Sequence, residues 1–154
     1  MIDVTDMEIL KELSKNSKRK IHQLAGVLRY PRSTIHNRIR KMEKSGIIRT
    51  YIAVIDHAKI GRPVAAFVHL VITSKQSAHE IANKLKSFPY VEEVHVVTGQ
   101  YDIIAKVRFK DTEDLGKFIF DEEKGLRTME GVDRTETMIV VNTEKEYGLV
   151  QKEK

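Results

Sequence analysis

The chain contains no cysteine, no tryptophan and three prolines, and it has no apolar run near the ~18 residues that a membrane-crossing helix needs. Without cysteine there is no disulfide framework and no thiolate metal site, which fits a cytoplasmic protein. The opening MIDVTDMEIL lacks a basic stretch followed by an apolar one, so no secretory signal and no membrane partner are expected. The six histidines, His22, His36, His57, His69, His79 and His95, show no HExxH or Cys/His ligand spacing. His69 and His95 can approach across strands, but two imidazoles without a third ligand predict no metal. There is also no phosphate-binding glycine-rich loop and no local nucleophile motif. No catalytic residue and no cofactor are therefore expected. Short stackable repeats and low-complexity segments are missing as well.

What is present is a packable and highly charged chain. Of its 154 residues 41% are hydrophobic and 32% charged, enough for a core and a solvated surface. The net charge of +5 is unevenly divided. Residues 1–60 carry 13 lysines and arginines against 6 acids, whereas residues 61–154 carry 14 against 16. Basicity confined to one segment points to a polyanion-binding domain joined to a nearly neutral one.

The basic segment reads as three short helices. Thr5-Asp6-Met7-Glu8 has the form of a capping box opening the first. Ile9, Leu10 and Leu13 then recur at one-face spacing until Asn16-Ser17. Ile21, Leu24, Ala25 and Leu28 repeat that stripe in the second, and Arg29-Tyr30 makes a corner. Pro31 suits the first turn of a third helix, which runs to about Ser45 and stops at Gly46. Ile35, Ile39 and Met42 share its buried face. A projection at about 100° per residue puts Ser33, Asn37, Arg40 and Lys44 on the opposite side. Arg32 and His36 fall on one flank, Thr34 and Lys41 on the other. Three helices with a basic third give the outline of a helix-turn-helix domain. Its lysines and arginines attract phosphates, whereas Ser33, His36, Asn37 and Arg40 have the donors and acceptors that read base edges in the major groove of double-stranded DNA.

Beyond Gly46, residues 47–55 are β-branched and aromatic enough to predict a strand, and Asp56–Pro63 reads as a linker. From Val64 the pattern is strand, helix, strand, strand, helix, strand. Ser77-x-x-Glu80 caps the first of these helices and Asp111 the second; the strands are expected over Val64–Ile72, Val91–Thr98, Ile103–Phe109 and Val132–Asn142, with a polar, frayed tail from Thr143. The fold class is thus α+β: an N-terminal three-helix, winged-helix-like domain (1–50), a strand and linker (51–63), and a ferredoxin-like βαββαβ sandwich with a four-stranded antiparallel sheet (64–154). Both sides of the first strand are largely apolar: Ala66, Val68, Leu70 and Ile72 on one, Ala65, Phe67, His69 and Val71 on the other. A sheet with one wet face alternates more cleanly. A second copy covering the other face in a two-fold dimer is the economical explanation.

These residues match a family. Asp6-x-x-Ile9-Leu10-x-x-Leu13, Leu24-Ala25, Thr34-Ile35-x-x-Arg38-Ile39, Glu43-x-x-Gly46-Ile47-Ile48, Lys59-Ile60-Gly61, Gly99-x-Tyr101-Asp102 and Gly131-Val132 stand in the order and spacing of Lrp/AsnC regulators, which the chain resembles over nearly its whole length. The resemblance implies a sequence-specific transcription regulator with a DNA-binding N-terminal domain. It further implies a C-terminal domain that forms dimers, often octamers or larger rings, and many such proteins respond to amino acids. It points to the loop Gly99–Asp102 as the effector site, with Thr98 and Thr135 as further lining. There Gly99 lets backbone N–H groups approach a carboxylate, and Asp102 can pair with an α-ammonium group. The alternative for the same loop is a plain strand-connecting turn with a capping Asp. One departure stands at the third helix, where the family usually has a capping serine and this chain has Pro31. Two other functions fit the same fold. A tetrapyrrole-decarboxylase-like enzyme would have little use for the basic third helix; a weakly specific DNA-packaging protein would keep it.

Overall fold

The structure is a computed structural model that describes residues 2–73 and 75–146. The chain forms two compact units, one built on the segment up to Val54 and the other on Ile55–Thr143.

The first unit holds α1 (Val4–Lys15), α2 (Ile21–Leu28) and α3 (Arg32–Lys44). Ile9, Leu24, Ile35 and Met42 are fully buried at its centre, so each helix turns its apolar stripe inward. The start of α1 differs from the expected Thr5–Glu8 box. Asp3 is the N-cap, accepting from the Asp6 N–H at 2.9 Å, while the Asp6 carboxylate accepts from the Asp3 N–H at 3.2 Å. Aspartate caps as well as serine and better than threonine, so the earlier start wins. Thr5 and Glu8 instead meet the Tyr30 hydroxyl, each at 3.3 Å. At the corner Arg29 adopts a left-handed φ of 56°, the sole non-glycine to do so among the described residues. Pro31 sits at the N-cap of α3 rather than inside its first turn, and its side chain offers no cap hydrogen bond. Gly46, at φ 75°, ends that helix as expected.

The strand expected over residues 47–55 is absent among the described residues. Strands exist by pairing, and none of these residues is paired in the four-stranded sheet. Ile52 and Val54 stand 63% and 66% exposed. Tyr51 donates to Glu43 of α3 at 2.8 Å; partial burial, reinforced by that bond, pushes its hydroxyl up to about 12.

The second unit holds β1 (Val64–Ile72), α4 (Ala78–Leu85), β2 (Val91–Val96), β3 (Ile103–Phe109), α5 (Thr112–Phe120) and β4 (Val132–Ile139), with a 3₁₀ turn at Leu126–Thr128 that periodicity did not predict. The four strands pair antiparallel in the order β2-β3-β1-β4, the ferredoxin-like arrangement. Ser77 and Asp111 cap their helices as expected. β2 and β4 stop before Thr98 and Asn142, and the expected fraying of the tail falls partly on residues 147–154, outside those described. Ala66, Val68 and Leu70 pack with Ile103, Ala105 and Val107 under Ile81, Leu85, Leu115, Phe118 and Ile119, so both helices cover one face.

The other face carries Phe67 between Lys106 and Met138, and His69 between Ile104 and Glu136. Ile104 in turn faces His95, so β3 separates the two histidines that the sequence suggested might meet. Lys106 lies 3.7 Å from both Glu92 and Glu93, and Arg108 binds Glu92 at 2.7 Å.

The turn after α5 depends on one glycine. A Cβ on Gly125 would meet the Asp121 carbonyl oxygen at 2.3 Å and its nitrogen at 2.6 Å, both backbone atoms that cannot swing aside. Gly125→Ala should destabilise the protein by about 1–3 kcal/mol, the usual range for forced overpacking. Denaturant unfolding of both proteins measures it, and an unchanged midpoint would contradict this close approach.

Candidate DNA interface and effector loop

The DNA-reading candidates are held by the inward stripe of α3. Because Ile35, Ile39 and Met42 are buried, Arg32, Ser33, His36, Asn37, Arg40, Lys41 and Lys44 are turned to solvent, and Thr34 is half-buried on the flank. None of Arg32, Arg40, Lys41 and Lys44 has an acidic partner among the described residues. The one acid on this helix, Glu43, accepts from Tyr51. The helix therefore presents a concentrated positive surface interleaved with neutral donors and acceptors.

Arg38 is the exception among its cations. Its Nη1 donates to Asp3 Oδ2 at 2.6 Å and to Asp6 Oδ1 at 2.8 Å, binding α3 to the start of α1. The two carboxylates hold its guanidinium above the ordinary arginine value, Asp3 first. The Asp3 carboxyl is held below the ordinary value of 3.8, chiefly by the Asp6 N–H and then by Arg38. A depressed carboxyl stabilises the fold above its unfolded value, and that contribution is lost as pH falls through the lower folded value. Thermal melting between pH 7 and pH 2 should therefore show a drop in Tm setting in below about pH 4, and Asp3→Asn should flatten part of it. Arg38→Gln should lower Tm at neutral pH yet leave the salt dependence of DNA binding unchanged.

The effector candidates are only partly brought together. Thr98 and Gly99 are exposed at the loop tip; Gly99 has a φ of 121° and nothing lies within 4 Å of where a Cβ would be. Tyr101 and Asp102 are half-buried behind them. Asp102 Oδ2 accepts from the Ile72 N–H at 2.9 Å, and its own N–H donates to Leu70, so it clamps the loop to the end of β1. The sequence offered Asp102 as a capping group of the turn, but not Ile72 as its partner. Nor did it reveal Glu136, whose carboxylate accepts from the Tyr101 hydroxyl at 2.8 Å and pushes that hydroxyl above its ordinary value. His69 lies against the Tyr101 ring, centroids 4.7 Å apart. Thr135 pairs with Leu70 and so points to the helix-covered face, whereas Glu136 and His69 share the other.

A family model described as winged helix-turn-helix DNA-binding matches residues 2–49, and one described as Lrp/AsnC ligand binding domain matches residues 65–150. The chain belongs to the Lrp/AsnC family. The HTH-type transcriptional regulator FL11 of Pyrococcus horikoshii is 35% identical over 94% of this chain and 93% of its own. Among solved structures, AsnC of E. coli superposes with a TM-score of 0.86 at 27% identity, covering 98% of this chain and 99% of that one. A Neisseria meningitidis transcriptional regulator in complex with L-Met superposes at 0.90, with 24% identity, over 98% of this chain and 97% of that one. This Lrp/AsnC protein is a DNA-binding transcriptional regulator with a ligand-binding domain, and not an enzyme. No described helix is long and apolar enough to cross a membrane.

Proposed function

We propose that this Lrp/AsnC protein is a cytoplasmic, sequence-specific regulator in which paired copies of α3 read the two halves of a palindromic operator. The observation that carries the reading is the composition of the exposed face of α3, with its cations free of acidic partners among the described residues. Ser33, His36, Asn37 and Arg40 contact base edges; Arg32, Lys41 and Lys44 hold phosphates, with Thr34 beside them. Pro31 contributes no side-chain acceptor, so the first N–H groups of α3 keep their capacity to bind a phosphate. Residues 1–50 serve as the reading head and 64–154 as the dimerisation and effector domain, joined by 51–63.

The second copy covers the sheet face opposite the helices. Phe67 and Met138, neighbours in register, are 38% and 48% exposed there, a sticky centre for an isologous contact. Dimers then assemble into an octamer or higher ring. An amino acid binds at the Gly99 loop: its carboxylate meets backbone N–H groups, and its ammonium pairs with Asp102 Oδ1, which has no partner among the described residues. The bound L-Met of the Neisseria protein supports this ligand class.

Fluorescence anisotropy on a duplex from the protein's own promoter region, repeated across a salt series, tests the reading. Three phosphate contacts per copy predict log K falling with log salt at a slope near −5 for a dimer. Absence of salt-sensitive binding to any duplex would overturn it. A ratio near one between target and random DNA would favour the packaging alternative.

A further inference from the structure

The second unit contains a cleft of about 510 Å³ far along β3 from the Gly99 loop, at the opposite end of that strand. Its floor is aromatic. Tyr90 stacks on Phe109 with centroids 5.0 Å apart and an interplanar angle of 26°, and Phe118 meets both rings, at 5.9 and 5.3 Å. Phe109 and Phe118 are buried, but Tyr90 remains 39% exposed to the cleft. A further ring entering the cleft finds an aromatic platform already held in place.

The rim is cationic. Arg62, Arg108, Lys110, Lys117 and Lys124 line the cleft against only Asp114 and Asp121. Several of these cations are already engaged: Arg108 with Glu92, Lys117 with Glu113 at 2.8 Å, Lys110 with Asp111 at 3.4 Å. Arg62 and Lys124 are not paired with any acid among the described residues. Asp121 stands beside Lys124, yet its Oδ1 is spent on the Glu123 and Lys124 N–H groups, at 3.0 and 2.7 Å. That cap, together with the tight approach at Gly125, fixes the turn from which Lys124 projects.

We propose that this cleft is a second ligand site, distinct from the Gly99 loop, for a small anion carrying a flat ring. The ring lies on Tyr90 and the negative group sits between Arg62 and Lys124. The volume lies within the ordinary range for small-molecule sites. An aliphatic zwitterion suits the cleft poorly, because its ammonium group would face a cationic rim and it has no ring for the platform. Two sources share the favoured chemistry, a nucleoside monophosphate and an aromatic carboxylate.

The experiment is calorimetric titration of the intact chain with AMP and, separately, with phenylacetate, against adenosine and phenylacetamide as neutral counterparts. At least one anion should bind saturably and about tenfold or more tightly than its neutral counterpart. Which anion does so identifies the source. The double variant Arg62→Gln/Lys124→Gln, both residues exposed, should weaken that binding about tenfold or more. Tyr90→Leu should weaken it independently, and both variants should bind DNA as the parent does. Silence from both anions, equal binding of the neutral counterparts, or binding unchanged in the double variant would overturn the site. Because α3 lies in the other unit, loss of this site and loss of DNA binding are separately readable.

Discussion

Asn37→Ala/Arg40→Ala should leave a protein that still holds DNA but no longer distinguishes its target. Both side chains lie on the solvent face of α3 above a stripe that remains intact, so the helix and its core persist. A bidentate contact to a base edge, arginine to guanine or asparagine to adenine, is worth about 1–3 kcal/mol of discrimination. Losing one of each should weaken target binding about 100-fold or more, whereas affinity for random duplex changes far less. The cations kept at Arg32, Lys41 and Lys44 supply that residual, salt-sensitive attraction. Asn37→Ala alone should lower specificity without altering the salt slope, since asparagine releases no counterion. Competition binding with target and random duplexes measures both effects. Equal losses on the two duplexes would mean that these residues only hold phosphates.

Phe67→Lys should dissociate the two-fold dimer proposed above. Phe67 lies mid-strand in β1 with Lys106 on one side and Met138 on the other. In an isologous interface one substitution appears twice, so two added ammonium groups would be buried near each other and near Lys106. An uncompensated buried charge costs about 3–5 kcal/mol, which weakens association at least about 100-fold. The monomer should still fold, because Phe67 is partly exposed in the single chain and the opposite face carries the core. Sedimentation across a concentration series reads the change directly. A variant that remains dimeric would move the interface to another surface. DNA affinity should fall with the dimer, since a lone reading head engages one half-site.

Much of this architecture was legible because it rests on local rules. The α3 face followed from the spacing of Ile35, Ile39 and Met42, and the caps at Ser77 and Asp111 followed from short-range donors and acceptors. What stayed hidden depends on partners distant in sequence. Residues 47–55 have strand composition, but composition does not supply a neighbouring strand. Asp3 displaced Thr5 as the cap of α1 partly because Asp6 answers both Asp3 and Arg38, 32 residues away. Asp102 looked like a ligand group, yet one of its oxygens serves Ile72, and Thr135 faces away from Glu136 by strand alternation. The aromatic cleft was invisible for the same reason. Phe88, Tyr90, Phe109 and Phe118 form no periodic pattern and meet only when β3 and α5 pack.

Selection of bound duplexes from a random pool, using the intact protein with and without added amino acids, tests most directly whether paired copies of α3 read DNA. Enrichment of a two-fold symmetric sequence is predicted, with half-sites spaced by about one helical turn or a multiple of it, and the enriched base pairs should change in the Asn37→Ala and Arg40→Ala variants. A pool that stays random, or a motif indifferent to both substitutions, would contradict α3 as the reading element.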